Sequence, residues 1–424
     1  MFYSHLQTHH NISPETINFI LQTETEIAHL YRQAEETAAI NQLKILTAMQ
    51  SSYLSDTHFN NSTGYGYNDE GREVIEQIYA KTFNTESALV RPQLVSGTHA
   101  LACALFGNLR PGDTLFSPTG KPYDTLESVI GIRPASGSLA EHGVTYQQAD
   151  LLEDGSINYP QIQNYLKSKP KMVTIQRSKG YAWRPSFTVA EINELIECIR
   201  KASPHTIILV DNCYGEFVET EEPADADLLA GSLIKNPGGG LSPAGGYIAG
   251  KSKYVEAASQ RLTAPGIGSA VGPTLGLTRT IAHGFFLAAQ TVLAAIQGAT
   301  LAAAAFSRLG FDVNPGIDQT RTDIVQAIKL GNAERVETFC QAIQKAAPVD
   351  GFVTPIPAPM PGYEHNVIMA GGTFIQGSSI ELSADAPMRE PYIVFFQGGL
   401  TPSHSKTGVI FALDALYKAN FLEF

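Results

Sequence analysis

The stretch VAEINELIECIRKASPHTIILVD, residues 189–211, indicates the fold class most directly. Its first part repeats apolar residues at helical spacing. Its end is a run of four apolar residues, 207–210, closed by Asp211. A helix that leads into an uninterrupted apolar strand is typical of a parallel sheet covered by helices on both faces. This stretch therefore predicts an α/β protein.

The same alternation continues along the chain on both sides of this stretch. Further strands are predicted at SALVRPQLV (87–95), DTLFSP (113–118), KMVTIQ (171–176) and GGYIAG (245–250). Further helices are predicted at THALACALFGNL (98–109), YDTLESVIGI (123–132) and KYVEAASQRL (253–262). Alternation of this kind predicts a large, mainly parallel sheet. Ligands of such sheets bind beyond the carboxyl ends of the strands, so the residues just after each strand are the candidates for a site.

The length of 424 residues predicts two or three structural units, at about 150 residues per domain. We expect residues 1–63 to be a helical segment that packs on the body or on a neighbouring subunit. Residues 64–306 are predicted to form the large α/β domain, and residues 307–424 a smaller α+β domain. Four candidate strands lie in that last part: FVTPI (352–356), HNVIMAGG (365–372), SIELS (379–383) and YIVFFQGG (392–399).

The charge and the cysteine pattern narrow the possible partners and the location. The formal net charge is -12 at pH 7 and there is no run of basic residues, so neither nucleic acid nor a membrane surface is an expected partner. The four cysteines are far apart and form no C-x-x-C pair, which predicts neither disulfides nor a metal site. Because the N-terminus also lacks the features of a secretion signal, we expect a cytoplasmic protein.

One stretch, GFFLAAQTVLAAIQGATLAAAAF at 284–306, has the length of a membrane span. It is dominated by alanine and is interrupted by polar residues, among them Gln290 and Gln297. A long buried helix is therefore predicted here.

Asp211 is the most informative of the residues at strand ends. A carboxylate at the end of a buried strand is costly unless a cation or a hydrogen-bond donor pairs with it. Two interpretations stay open. Asp211 either caps a helix or pairs with a nearby arginine, or it pairs with the protonated ring nitrogen of a bound cofactor.

The segment SGTH, residues 96–99, lies where a predicted strand ends and a helix begins. Backbone N–H groups at such a junction bind anions, and Gly97 lets a ligand approach the backbone closely. A capped turn would explain Ser96 and Gly97 equally well. Ser232, at another junction between a strand and a loop, is a second donor and favours a phosphate. The candidate anion site comprises Ser96, Gly97, Thr98, His99 and Ser232.

The segment SLIKNPGGG, residues 232–240, places Lys235 between an aliphatic pair and a glycine-rich turn. An isolated lysine of this kind would be a surface residue. Together with Asp211, the anion site and Tyr123, it matches the needs of pyridoxal 5′-phosphate (PLP): an amine, an acid for the ring nitrogen, a phosphate site and an aromatic face. Core packing is the alternative role of Tyr123. These residues together predict a PLP cofactor.

The order of these segments resembles the PLP enzymes of cysteine and methionine metabolism, the cystathionine lyase group. It is most similar to the cystathionine β-lyase-like, or aluminium-resistance, branch, also called the methionine γ-lyase family. The resemblance covers nearly the whole chain beyond the first helix. The segments that carry it are GYGYNDEGRE (64–73), GKPYDTLESVIG (120–131), QRSKGY (176–181), VDNCYGEF (210–217), SLIKNPGGGLSPAGGYIAGK (232–251) and ELSADAPMREPYIVFFQGG (381–399).

This resemblance implies the aspartate-aminotransferase fold, known as PLP fold type I. It also implies a homodimer or homotetramer with active sites at the subunit interface. Lys235 would bond covalently to the cofactor, Asp211 would pair with the pyridine nitrogen and Tyr123 would stack on the ring.

The remaining implied contacts are to anionic groups. Tyr65 or Tyr67 would reach the phosphate of the neighbouring subunit. Arg389 would bind the α-carboxylate of an amino-acid substrate, and Arg177 or Arg184 offers a second anion contact. The phosphate of the chain's own cofactor would be held by Gly97, Thr98 and Ser232.

The implied activity is that of an amino-acid lyase, with β- or γ-elimination on a sulfur-containing substrate. The chain departs from the lyases beside its lysine, where Ile234 and Asn236 replace a threonine and an aromatic residue. It departs again after Tyr123, where residues 124–126 replace a G-G-T motif. Two alternatives therefore stay open: another PLP enzyme (an aminotransferase, racemase or decarboxylase), or a PLP-binding stress protein with little turnover.

Overall fold

A seven-stranded sheet contains the apolar strand at 207–211 in the computed structural model, which describes residues 1–424. Its strands are β1 (Ser87–Arg91), β2 (Thr114–Ser117), β3 (Thr145–Gln148), β4 (Met172–Gln176), β5 (Ile207–Asp211), β6 (Leu228–Ser232) and β7 (Gly246–Gly250). Their order is β1-β7-β6-β5-β4-β2-β3, and β7 is antiparallel to both of its neighbours. The pairs from β6 to β3 are parallel. The predicted large, mainly parallel sheet is confirmed.

Two compact units divide the chain. The first comprises Met1–Ala39, Tyr181–Trp183 and Ala289–Phe424, and the second comprises Ile40–Gly180 and Arg184–Ala288. The seven-stranded sheet belongs to the second unit. The domain boundaries expected near residues 64 and 307 remain predictions, because a compact unit need not coincide with a region that folds by itself.

Eleven α-helices accompany the strands, together with short 3-10 helices at Asp56–Phe59, Asn236–Gly238 and Gly268–Ala270. The α-helices are α1 (Phe2–His10), α2 (Pro14–Ser51), α3 (Glu70–Thr82), α4 (Gly97–Asn108), α5 (Asp124–Ile130), α6 (Tyr159–Leu166), α7 (Val189–Ala202), α8 (Ser252–Leu262), α9 (Thr278–Arg308), α10 (Ala333–Lys345) and α11 (Pro402–Lys418). Most of the predicted helices are therefore present close to their expected bounds.

Local interactions explain why the stretch at 189–211 folds as predicted. Thr188 Oγ1 accepts a hydrogen bond from Glu191 N (3.0 Å), and the Glu191 carboxylate accepts one from Thr188 N (2.8 Å), which together form a capping box. Every residue of β5, β6 and β7 is buried, as expected for strands covered on both faces. The apolar residues of α7 that turn inward are Val189, Ile192, Leu195, Ile196 and Ile199.

The helices α4 and α8 cover part of one face of the sheet. Leu101 and Ala258 from these helices join the same buried cluster as Leu209 and Ile248 from the strands. The strand β3 is absent from the sequence prediction. Its sequence TYQQ is polar, which an edge strand with a single partner tolerates.

The first unit contains a five-stranded antiparallel sheet in the order β10-β11-β12-β9-β8. Its strands are β8 (Val313–Asn314), β9 (Gln326–Lys329), β10 (Val367–Ala370), β11 (Ser383–Pro387) and β12 (Ile393–Gln397). The strands predicted in HNVIMAGG and YIVFFQGG are confirmed as β10 and β12.

The prediction of a strand at 352–356 is wrong. This segment is irregular, and Phe352 is 88% exposed. Pro355 has no N–H to donate to a neighbouring strand, so an apolar run at this point does not extend a sheet. The run SIELS contributes only its last residue, Ser383, to a strand.

The alanine-rich stretch forms most of α9, which is long and apolar enough to cross a membrane by length and composition. Of an apolar 18-residue stretch of this helix, 72% is buried inside the protein. The predicted buried helix is confirmed, since this burial is the behaviour of a core helix. Leu301, Phe306 and neighbouring alanines pack in the core of the first unit.

Candidate active site

The predicted segments SGTH, VDNCYGEF and SLIKN meet at the carboxyl edge of the parallel sheet. Asp211 ends β5 and Ser232 ends the parallel neighbour β6, while Gly97 begins α4. A Cβ atom on Gly97 would lie 3.3 Å from Cys213 Sγ and 3.3 Å from Ser232 Cβ. Glycine therefore lets the start of α4 approach both strand ends without crowding.

The N-terminus of α4 is the candidate anion site. Ser96 Oγ accepts a hydrogen bond from His99 N (3.1 Å), and His99 Nδ1 accepts one from Val95 N (3.1 Å). Thr98 and Thr125 hydroxyls share a hydrogen bond of 2.8 Å. Burial lowers the pKa of His99, so its ring is neutral at pH 7. The side chains of Ser96 and His99 thus stabilise the helix start, whose first N–H groups have no partners within the helix.

Lys235 follows β6 and directly precedes the 3-10 helix at 236–238. Its Nζ lies 3.9 Å from the centroid of the Tyr214 ring, a cation–π contact. Burial lowers the pKa of Lys235, but four neighbouring acidic groups raise it more, so that the net shift is upward. The free lysine is therefore stabilised as a cation. Those four groups belong to Cys213, Tyr214, Asp211 and Glu216.

Asp211 is buried, and one of its carboxyl oxygens accepts a hydrogen bond from Cys213 N (3.2 Å). Burial raises the pKa of Asp211, while the positive charges of Lys235 and Arg184 act in the opposite direction. No helix begins directly after β5, so a helix cap does not explain this carboxyl. Asp211 is a buried acid among cations, which suits a cationic ligand atom.

Tyr123 is held at the start of α5 by contacts with the end of β4. Its backbone N donates to Gln176 Oε1 (2.6 Å). A Cβ atom on Gly180 would lie 3.0 Å from Tyr123 Cδ2, so the Tyr123 ring lies against this glycine. Arg184 donates to the backbone oxygens of Gln176 (3.1 Å) and Ser178 (2.6 Å) and fixes the same loop.

Arg177, predicted as a substrate contact, lies instead in a buried ion-pair network. Its guanidinium donates to Asn212 Oδ1 (2.8 Å), Glu222 Oε2 (3.0 Å) and Glu219 Oε1 (2.8 Å). It is fully buried and compensates the charges of two carboxylates. The guanidinium charge is thus already neutralised inside the protein, and the expected substrate contact of Arg177 stays a prediction.

Tyr65 and Tyr67 lie on the loop before α3, and 68% and 63% of their surfaces are exposed. Their rings are stacked with centroids 5.3 Å apart. The loop itself is fixed, because Arg72 donates to Gly66 O (2.6 Å) and Gly272 N donates to Tyr65 O (2.9 Å). Two aromatic side chains are thus presented outward on an anchored loop.

Arg389 lies between β11 and β12 in the first unit and is exposed. Its guanidinium donates to Tyr181 O at 3.5 Å, a long hydrogen bond. The Tyr181 ring packs near Phe395, with centroids 5.2 Å apart. Arg389 therefore has an exposed guanidinium that only one weak contact holds within its own unit.

A buried group of polar residues beside Lys235 is absent from the sequence predictions. Glu216 accepts a hydrogen bond from the Tyr247 hydroxyl (2.8 Å), and Asn236 Nδ2 donates to Glu216 O (3.0 Å). The signal available in the sequence is an acid next to Phe217 in VDNCYGEF, because an acid within a buried segment needs a role.

Comparison with known sequences gives matches that span both units. A family model for methionine gamma-lyase matches residues 16–417. The uncharacterized protein YnbB of Bacillus subtilis (strain 168) is 50% identical over 406 residues, which cover 95% of this chain and 96% of YnbB.

Solved structures also match nearly the whole chain. A candidate cystathionine beta-lyase involved in aluminium resistance from Clostridium acetobutylicum has a TM-score of 0.94 and 47% identity, and the match covers 98% of both chains. A carbon-sulfur lyase involved in aluminium resistance from Clostridium novyi NT has a TM-score of 0.93 and 46% identity, covering 97% of this chain and 98% of that one. The pyridoxal-5'-phosphate-dependent protein YhfS from Escherichia coli shares the fold at 14% identity and a TM-score of 0.61, covering 91% and 97%.

Proposed function

Since the chain belongs to the methionine gamma-lyase family, we propose that it is a PLP-dependent lyase that breaks a carbon–sulfur bond of a sulfur-containing amino acid. The observation that carries the proposal is the meeting of Gly97, Asp211 and Ser232, with Lys235 three residues on, at one edge of a parallel sheet. We also propose that the fold is the aspartate-aminotransferase type, PLP fold type I. The fold shared with a PLP-dependent protein of Escherichia coli supports this assignment.

The residues present fit a flat cofactor with a phosphate group. The close approach at Gly97 forms a cradle that a Cβ atom would fill, and the first turn of α4 and Ser232 supply donors for the phosphate. The buried carboxyl of Asp211 suits a protonated ring nitrogen. The Tyr123 ring would cover one face of the cofactor.

The cofactor supplies an aldehyde that bonds to amines and a protonated ring that accepts the electron pair left on the substrate. Asp211 keeps the ring nitrogen protonated through a charge-assisted hydrogen bond, which is worth about 1.5–3 kcal/mol. With the cofactor bound, Lys235 would be released when a substrate amine binds, and its free Nζ would remove the α-proton. The β- or γ-substituent would leave as a thiolate that takes up a proton, and Arg389 would orient the substrate through its α-carboxylate.

The visible absorption spectrum of the purified protein, recorded before and after borohydride reduction, tests the cofactor. We expect a band from the covalent link to Lys235 that disappears on reduction and leaves the label on that lysine. A protein that shows no band even with added PLP would rule out the cofactor. Ammonia and a 2-oxo acid formed from cysteine, cystathionine or methionine would identify the lyase, whereas an amine or an enantiomer would identify another PLP reaction.

The substitution Arg389→Gln is expected to raise the KM for the amino acid and to leave the visible band unchanged. A guanidinium–carboxylate pair that contributes about 1.5–3 kcal/mol corresponds to a rise in KM on the order of 10- to 100-fold. The exposed Arg32→Gln serves as the matched control, and steady-state kinetics provide the measurement. An unchanged KM in Arg389→Gln would remove this residue from the substrate site.

We propose a homodimer, or a tetramer built from such dimers, in which Tyr65 or Tyr67 contacts the phosphate of a second copy. Both rings are exposed, and tyrosine is enriched where proteins contact each other. Arg72 fixes the loop that presents the two rings. Little conformational entropy is therefore lost from this loop when two copies associate. These features support a site shared between subunits.

Mixing two inactive variants tests the shared site. Lys235→Ala and a double variant with Tyr65→Ala and Tyr67→Ala are each expected to be inactive alone. After unfolding and refolding together, about a quarter of the wild-type activity should return, because half of the dimers are mixed and each mixed dimer has one intact site. Refolding each variant alone is the control. Mixed dimers that recover no activity would contradict a shared site.

We propose the cytoplasm as the location. All four cysteines are free. Burial raises the pKa of Cys103 to about 11, so its thiol stays protonated and unreactive. Free buried thiols are typical of a reducing compartment.

A further inference from the structure

A buried polar group next to Lys235 has no part in the mechanism above. Glu216 is fully buried, and its Oε1 accepts a hydrogen bond from the Tyr247 hydroxyl (2.8 Å). Its Oε2 has no hydrogen-bond partner. Asn236, the residue after Lys235, donates to both Tyr214 O (3.0 Å) and Glu216 O (3.0 Å) and so ties this segment to the lysine. A buried carboxyl with only one side-chain donor favours its protonated form, since an ionised one needs more donors.

A second buried carboxyl, Glu222, differs from Glu216 in its partners. Glu222 Oε2 accepts hydrogen bonds from Arg177 (3.0 Å) and Asn212 (2.8 Å), and Oε1 accepts one from Phe217 N (2.9 Å). Its negative charge is therefore compensated. Because two neighbouring buried carboxyl groups do not both ionise readily, the proton belongs on Glu216.

The structure provides room for the pair formed by Glu216 and Tyr247. A Cβ atom on Gly231 in β6 would lie 2.5 Å from Glu216 Oε1 and 2.5 Å from Tyr247 Cε1. Any larger residue at this position would push the two groups apart. The contact between the Glu216 carboxyl and the Tyr247 phenol thus depends on a glycine at position 231. This glycine directly precedes Ser232 in β6.

Burial and the charge of Glu222 raise the pKa of Glu216 to about 8, although hydrogen bonds and the charge of Lys235 act in the opposite direction. The buried phenols and the thiol around Glu216 have pKa values raised well above their usual range, so they stay neutral. Burial also raises the pKa of Glu222, but the charge of Arg177 and hydrogen bonds from Phe217 and Asn212 oppose that rise. We therefore assign a titration near pH 8 to Glu216. The titratable groups that face it are Tyr79 on α3, Tyr247 on β7, Lys235 after β6, and Cys213 and Glu222 from its own segment.

We propose that Glu216 is a positioning residue that holds a proton inside the protein at neutral pH, and that loss of this proton stabilises positive charge on the Lys235 nitrogen. The inference deepens the proposed function and rests on it where Lys235 carries the cofactor. With Glu216 neutral, one of the negative charges that stabilise the Lys235 ammonium is absent, which favours the neutral amine that a base requires. With Glu216 ionised, the ammonium form is favoured and the reaction is opposed.

Titration of the PLP-loaded wild-type protein and of Glu216→Gln tests this proposal through two readouts. Infrared difference spectra follow the carbonyl stretch of a protonated carboxyl, and visible spectra follow the band of the lysine link. In the wild type we expect the carboxyl signal to be lost with a midpoint near pH 8. In Glu216→Gln that step should be absent, and the visible transition should move to lower pH because no carboxylate stabilises the cation.

Two further variants sharpen the test. Glu221→Gln is the matched control, because this carboxylate lies on the same segment with 65% of its side chain exposed. It should leave both titrations unchanged. Tyr247→Phe removes the phenol that donates to Glu216 Oε1, a hydrogen bond that lowers the pKa of Glu216. The infrared midpoint should therefore move to higher pH.

The possible results separate this proposal from the cofactor assignment. Identical infrared titrations of the wild type and Glu216→Gln would contradict the proposal that Glu216 holds a proton at neutral pH. A visible transition that Glu216→Gln leaves in place would overturn its coupling to Lys235. A wild-type protein without a visible band would instead contradict the cofactor, while the infrared step would still report on Glu216.

Discussion

Replacing Lys235 with alanine is expected to abolish the visible band of the covalent link and to reduce kcat on the order of ten-thousand-fold or more. The substitution removes both the amine that bonds to the cofactor and the base that takes the α-proton, and a general base alone contributes about 100- to 10,000-fold. The phosphate site at α4 is unchanged, so PLP should still bind without a covalent link. Absorption spectra and assays of 2-oxo acid formation give the measurements.

The control for this variant is Lys201→Ala. The Lys201 side chain is exposed and pairs only with Glu197 on the surface of α7, so its removal should change neither the spectrum nor turnover. Thermal melting of both variants shows whether the fold is retained. Normal turnover in Lys235→Ala would reduce this residue to an ordinary loop lysine and would defeat the proposed function.

Replacing Asp211 with asparagine is expected to lower kcat on the order of 10- to 100-fold while the visible band persists. The carboxylate contributes a charge-assisted hydrogen bond of about 1.5–3 kcal/mol to the ring nitrogen, and an amide oxygen provides only a neutral one. The asparagine oxygen can still accept the hydrogen bond from Cys213 N, so the end of β5 should keep its geometry.

The pH dependence of stability shows whether Asp211→Asn lowers kcat through a lost contact with the cofactor or through a less stable fold. Burial raises the pKa of Asp211, so the folded protein binds this proton more tightly than the unfolded chain does. Ionised Asp211 therefore costs stability, and the cost grows as the pH rises above the usual range of an aspartate. Asp211→Asn should consequently be at least as stable as the wild type at pH 7. Unfolding in urea measures this, with the exposed Asp225→Asn as control. An unchanged kcat would exclude Asp211 from the cofactor site.

Local sequence signals predicted the fold well where they act within one segment. The helix at 189–202 starts at a capping box made by residues three positions apart, and β5 is apolar throughout its first four positions. The same signals failed where a strand depends on its neighbours. Polar β3 is a strand because β2 pairs with it, whereas the apolar run at 352–356 pairs with no strand.

The candidate site shows the same division. Lys235, Asp211 and Gly97 could be selected from the sequence, because each follows or begins a predicted element at the edge where parallel strands end. Arg177 enters only through the resemblance to the lyases, as an anion contact. The structure places Glu219 and Glu222 against it, and those residues lie more than 40 positions further along the chain.

The sequence by itself determined the alternation of helices and strands, the parallel sheet, the order of the candidate residues and the family, because these depend on local periodicity and on motifs that are continuous in the chain. The tertiary structure alone shows which buried groups pair and which carboxyl holds a proton. The protonation of Glu216 depends on Tyr247 and Glu222, and the Arg177 guanidinium pairs with Asn212 and Glu222. Burial and hydrogen bonding between distant segments set these charges, and neither exists before the chain folds.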